Sequence, residues 1–243
     1  FSMSEYNKLV KDILKKIEKN NIPYVINRNY EFLIQNKTHK GGDIDLCIRK
    51  KDLNNINRIF IKNKYKKIPI NPFSNHVGFI KYVSSEKKLL FFHLHIDGIT
   101  GIHLTYLGHK HILTHRRKKK FFYIPSPEDE FLGIILHTTI DRTKIRNDYR
   151  IKLSELHKIT NKNYVKKCLK KTIGNENTDL VLKNIENKNF ERIETKHKII
   201  LNYFIKHYKK KYYYLFKVYI LGGFWKLNWY LKNKPLISFI GMD

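Results

Sequence analysis

Cysteine is nearly missing from this chain. The two that occur, Cys47 and Cys168, lie in different segments, and no Cys-x-x-Cys is present. That excludes a disulfide framework and a cysteine-based zinc site, and it fits a reducing, cytoplasmic setting. Acidic residues are also scarce: 21 Asp and Glu stand against 49 Lys and Arg, a net charge of +28. Such an excess favours polyanionic partners (RNA, DNA, nucleotides or an anionic membrane surface), although a lysine-rich solubilising surface produces the same total. No internal repeat is visible, and the first residues lack the apolar core of a secretory leader. Long apolar runs are missing too. Tyr212–Leu231 comes nearest, but Lys217, Lys226, Asn228 and the Gly222-Gly223 pair interrupt it. A membrane-spanning helix is therefore not expected there. A helical hairpin turned at Gly222-Gly223 is, with an interfacial position on a membrane as the less favoured alternative.

What is present is a globular composition, 42% hydrophobic and 14% aromatic over 243 residues, enough for one large domain or two small ones. Leu9, Val10, Ile13, Leu14 and Ile17 share one face of a helix spanning 5–19, which Asn20, Asn21 and Pro23 end. Short strands are predicted at 24–27 and 43–48. Asp52 opens a helix carrying Leu53, Ile56, Ile59 and Phe60. Three more strands follow at 65–70, 76–83 and 89–97, the last two joined by a hairpin through 84–88. Ser126-Pro127-Glu128-Asp129 is a helix start with Ser at the cap, Pro in the first turn and acids beside it. Beyond it the chain reads as helical to 233, with breaks near 161–163 and 174–177. The fold class is α+β: an N-terminal mixed sheet with flanking helices over 3–125, then an all-helical region over 126–233.

Chemistry concentrates at Gly41-Gly42-Asp43-Ile44-Asp45-Leu46-Cys47-Ile48. On a strand Asp43 and Asp45 point to one face, and two adjacent carboxylates repel unless a cation separates them. Hard oxygen ligands suit Mg²⁺ or Mn²⁺. The alternative is an exposed strand start that ligates nothing. Asp97 ends the strand that also carries His93 and His95 on one face, and it becomes a third carboxylate if that strand neighbours the Asp43–Asp45 strand. The two histidines read as partly buried polar neighbours, with metal ligation as the sharper alternative.

The run Tyr24–Ile48, with Arg28-Asn29-Tyr30-Glu31 followed by Gly42-Asp43-Ile44-Asp45, resembles the nucleotidyltransferase superfamily. In particular it is similar to the nucleotidyltransferase domains fused ahead of a thymidylate-kinase-like P-loop domain. The resemblance extends to an Asp ending the 89–97 strand and to Ile124-Pro125-Ser126-Pro127-Glu128 at the start of the helical half. It extends also to Pro235–Asp243, which looks like the first strand of a P-loop kinase stopping before the Lys and Ser/Thr of a phosphate loop. Residues 234–243 are thus expected to begin a fused kinase-like domain.

The resemblance implies an enzyme in which Asp43, Asp45 and Asp97 hold Mg²⁺ or Mn²⁺ against an NTP while an acceptor hydroxyl attacks the α-phosphorus. Where that superfamily usually has Gly-Ser or Gly-Gly to cradle the triphosphate, this chain has Asn27-Arg28-Asn29. Nucleotide contacts are accordingly assigned to Asn27, Arg28, Asn29 and Gly42, with Arg28 able to bind phosphate through its planar fork. The expected acceptor is anionic, either RNA such as tRNA or a small phosphorylated molecule. Basic clusters at Lys62/Lys64/Lys66/Lys67, Arg116–Lys120, Lys166/Lys167/Lys170/Lys171 and Lys209–Lys211 are placed to track a phosphate backbone, with Tyr212–Tyr214 to stack on bases. The alternative is a catalytically degenerate module of the same fold that binds RNA or regulates the fused kinase.

Overall fold

The structure is a computed structural model that describes residues 4–28, 30–35, 43–68, 70, 74–101, 104–208, 212 and 216–232. The chain is α+β. Helix α1 (Glu5–Lys19) starts at Ser4, whose hydroxyl accepts from the Asn7 amide, and it buries Tyr6, Val10, Ile13, Leu14 and Ile17 as its 3.6-residue spacing requires. Full burial of each aliphatic side chain contributes roughly 1.5–3 kcal/mol. Strand β1 (Tyr24–Ile26), the short helix α2 (Glu31–Gln35) and β2 (Asp43–Ile48) follow. A 3₁₀ turn at Lys50–Asp52 leads into α3 (Leu53–Lys62). Asp52 makes no capping hydrogen bond there; its carboxylate instead accepts from Arg49 Nε at 2.5 Å. Strands β3 (Lys66–Ile68), β4 (His76–Val83) and β5 (Lys88–Ile96) complete the sheet.

The sheet order is β1-β2-β5-β4-β3, and only β2 and β5 run parallel. The β4–β5 hairpin turns through Ser84–Glu86 and a left-handed Lys87, as the polar 84–88 segment predicts. Alternation along the strands divides the sheet into two faces. One carries Tyr24, Ile26, Ile44, Leu46, Ile48, Phe79, Phe92 and Leu94, and packs with α1 and α3 into a core where Phe60 stacks on Phe79 at 4.3 Å. The other carries Val25, Cys47, Asp43, Asp45, His93 and His95, and turns toward the rest of the chain.

That remainder begins with the hairpin β6 (Gly98–Gly101) and β7 (Leu104–Gly108), then the short helix α4 (His109–Thr114). The hairpin β8 (Arg117–Lys119) and β9 (Phe122–Ile124) follows, and β9 returns Phe122 and Ile124 to the first core. Helices α5 (Pro127–Leu136), α6 (Asn147–Ile159), α7 (Lys162–Ile173), α8 (Asn175–Glu186), α9 (Phe190–Thr195) and α10 (His197–His207) form the helical half. Ser126 caps α5 through the Asp129 amide at 3.1 Å, as its sequence signature predicts. A π-helical turn, His137–Asp141, ends α5. The second core takes Val25 and Cys47 from the sheet, Ile99, Leu104 and Leu107 from β6–β7, and Phe131, Leu153, Leu169 and Ile200 from the helices.

The expectation of a hairpin at Gly222-Gly223 is corrected. A π-helical stretch, Phe216–Leu221, runs directly into the helix Gly222–Lys232, so the glycines lie within continuous helix. Among the described residues nothing approaches within 4 Å of where a Gly223 side chain would stand. The strand and P-loop start expected over 234–243 lie outside the described residues, as do Asn29, Gly42, the Lys209–Lys211 cluster, Tyr213 and Tyr214.

Candidate metal and phosphate site

The second sheet face gathers a polar cluster where three neighbouring strands meet. Asp43 and Asp45 come from the start of β2, and the parallel register sets Asp45 level with His93 and Cys47 level with His95. On β4, His76 pairs with His95. The period of two therefore stacks His76, His93 and His95 beside the aspartates. Asn27 extends β1 and donates its backbone amide to the Asp45 carbonyl at 2.9 Å, which brings Arg28 over the face.

Asp45 is the hub. Its Oδ2 accepts from Arg28 Nη2 at 2.8 Å, while Oδ1 lies 3.1 Å from both His93 Nδ1 and His95 Nε2. Burial opposes its charge, but Arg28 and the two imidazole hydrogen bonds outweigh that penalty and hold the carboxyl well below its ordinary range. Asp43 is different. It is half exposed, and partial burial together with the neighbouring Asp45 charge pushes its carboxyl upward. His95 is buried, and loss of solvation lowers its basicity, so it stands neutral at physiological pH. The guanidinium of Arg28 uses one nitrogen on Asp45. Its Nε and Nη1 are buried without a hydrogen-bond partner among the described residues, as are the side-chain amide of Asn27 and the hydroxyl of Tyr106. Buried donors ordinarily have acceptors, so this group of polar atoms has the character of a ligand site. From the helical half, Tyr149 and His137 lie within electrostatic reach of Arg28, and His137 is hydrogen-bonded to Asp141 at 2.9 Å.

Asp97 is not brought to this cluster, and its assignment as the third carboxylate is corrected. Because β2 and β5 are parallel and Asp45 pairs with His93, Asp97 lies four residues farther along, about 13 Å at roughly 3.3 Å per residue. It sits at the opposite end of the strands, in the left-handed conformation (φ 61°). There its carboxylate accepts from the Lys50 amide at 2.8 Å and stands 3.4 Å from His109 Nδ1. The position beside Asp43 and Asp45 belongs to His93, whose Nδ1 is 3.7 Å from Asp43 Oδ2. Sequence reasoning placed His93 on the correct face but gave the third position to the carboxylate. The signal that separates them is strand register.

The donor set bears on whether Mg²⁺ or Mn²⁺ fits. One donor from each of Asp43, Asp45 and His93 lies within 4.8 Å of the others. Two carboxylates suffice for one hard ion that draws its remaining ligands from water and phosphate. They do not suffice for a pair of ions bridged by three carboxylates. The basic clusters at 62–67, 116–120 and 166–171 are mostly solvent-exposed. Within them Lys118 pairs with Glu18 and Lys166 with Asp179. Among the described residues no helix is long and apolar enough to cross a membrane. No protein-family model and no curated protein matches the chain.

Proposed function

We propose that this chain is a cytoplasmic, metal-dependent nucleotidyltransferase that moves NMP from an NTP to a hydroxyl of an anionic acceptor, RNA or a small phosphorylated molecule. The observation that carries this reading is the pairing of Asp45 with a partly buried Arg28 whose remaining nitrogens have no partner among the described residues, next to the half-exposed Asp43. Arg28 offers a planar cation to a phosphate at the sheet edge, and Asn27 adds amide donors beside it. Asp45, anchored by Arg28, His93 and His95, keeps these groups aligned. Asp43 and Asp45 would hold one Mg²⁺ or Mn²⁺, which when bound neutralises triphosphate charge and lowers the pKa of a coordinated hydroxyl. In the transfer, the acceptor hydroxyl gives up its proton to solvent, its oxygen bonds to the α-phosphorus, the bond from that phosphorus to the bridging oxygen breaks and pyrophosphate leaves.

A second reading has its own support. With Asp97 engaged by Lys50 and His109, the site lacks the third carboxylate, which favours a non-catalytic module that binds RNA or a fused kinase-like domain. The experiment that separates them is label transfer from radiolabelled NTP to bulk RNA and small acceptors, comparing wild type with Asp43→Asn. Asp43 is the cleaner position, because Asp45→Asn would also strip Arg28 of its partner. Incorporation should fall to background in Asp43→Asn; equal incorporation by both proteins rejects the catalytic reading. Salt-sensitive RNA binding that survives the substitution, with no transfer by either protein, establishes the module instead.

A further inference from the structure

The three histidines form a second donor cluster that shares His93 with the acidic one. His76, His93 and His95 have ring centroids 4.6–4.8 Å apart, and one ring nitrogen from each lies within 4.8 Å of the others. Each ring is also tied to an oxygen. His93 Nδ1 and His95 Nε2 share Asp45 Oδ1 at 3.1 Å, and His76 Nε2 is hydrogen-bonded with Thr100 Oγ1. A carboxylate only accepts, so in the neutral rings the proton sits on the nitrogen facing Asp45. That leaves His93 Nε2 and His95 Nδ1 as lone pairs. The Nδ1 of His95 is buried and has no partner among the described residues. A carboxylate fixing the tautomer and aim of an imidazole is the usual support behind a histidine metal ligand.

We propose that His76, His93 and His95 bind a borderline divalent transition-metal ion of the Zn²⁺ or Co²⁺ class, with Asp45 and Thr100 as the supporting groups. Imidazole suits such ions, whereas Mg²⁺ selects oxygen. Three protein nitrogens satisfy a tetrahedral ion while leaving one position for water or a substrate oxygen. The centre shares His93 and Asp45 with the acidic site, and Asp43, which is not among its ligands, is the residue that distinguishes the two.

The test is a Co²⁺ titration of the full chain, followed by visible absorption, with Zn²⁺ displacement to confirm the site. Wild type should bind one equivalent with the intense bands of a low-coordinate nitrogen site, excess Mg²⁺ should not displace it, and Asp43→Asn should bind equally well. His76→Asn should weaken binding at least tenfold. His76 is only partly buried at the start of β4, so this variant should keep the wild-type circular dichroism. His95→Gln, at the buried position, should abolish the bands. The proposal is overturned if wild type binds no stoichiometric Co²⁺, if Mg²⁺ displaces it, or if a folded His76→Asn binds as wild type does. Loss of NTP transfer in Asp43→Asn with Co²⁺ binding intact separates this centre from the transferase site.

Discussion

At the scale of the residue, Arg28 and Asp45 control the site. Arg28 is largely hidden from solvent; burial opposes its charge, and the Asp45 carboxylate outweighs that cost, while Asp45 is the acceptor for three separate cationic or polar donors. Removing one member of a buried pair leaves the other as an uncompensated charge, a loss of about 3–5 kcal/mol. Arg28→Met should therefore lower stability by that order in urea unfolding, well beyond a surface arginine change. A shift under about 1 kcal/mol would mean the pair is solvated and Asp45 is not held as described. Asp97 carries the contrary lesson. An Asp at the end of a strand read as a ligand, yet its backbone geometry and its bonds to Lys50 and His109 make it a loop anchor.

At the scale of the element, strand register decides which side chains meet. Period two was enough to set His93 and His95 on one face and Asp43 with Asp45 on another strand. It could not say that Asp45 pairs with His93 rather than with Asp97, because parallel register depends on how the β2-to-β5 crossover packs. The junction into β6 is equally exacting. Gly98 has φ 139°, and a Cβ there would stand 2.4 Å from the Leu107 carbonyl oxygen. Neither strain nor clash can be relieved by rotating a side chain, since the obstacle is backbone. Gly98→Ala should destabilise the chain by more than about 1 kcal/mol and break the β6–β7 pairing, measurable as faster amide exchange in Ile99 and Leu107. Unchanged exchange would show that β6 tolerates a different path.

At the scale of the whole molecule, the two cores share one sheet. Tyr24, Ile26, Leu46 and Ile48 belong to one, while Val25 and Cys47 from the same strands belong to the other. The polar site lies on the face toward the second core, so its protonation is coupled to global stability. His95, His137 and His157 all have their basicity lowered by burial from an ordinary value of 6.5. Below 6.5 the unfolded chain binds protons that the folded chain refuses. Stability is therefore full above that pH and falls as pH drops toward the folded values. Urea midpoints measured from pH 7.5 to 5.5 should decline; a flat profile would contradict neutral, buried imidazoles.

Local pattern was enough to read much of this protein. The α1 face, the β4–β5 hairpin, the Ser126 cap and the α+β class follow from nearest-neighbour chemistry: hydrophobic period, turn residues and capping side chains. The pairing of Asp43 with Asp45 on one face is legible for the same reason, since two residues on one strand need no partner to be placed. Long-range pairing was not legible. Which strand neighbours β2, where His76 of β4 falls, that Arg28 closes on Asp45, and that Asp97 lies at the far end are all set by packing between segments tens of residues apart. The sequence by itself determined an acidic pair in a basic α+β protein. Only the tertiary structure surrounded that pair with three histidines and an arginine, because register and side-chain burial are properties of the assembled sheet and not of any one strand.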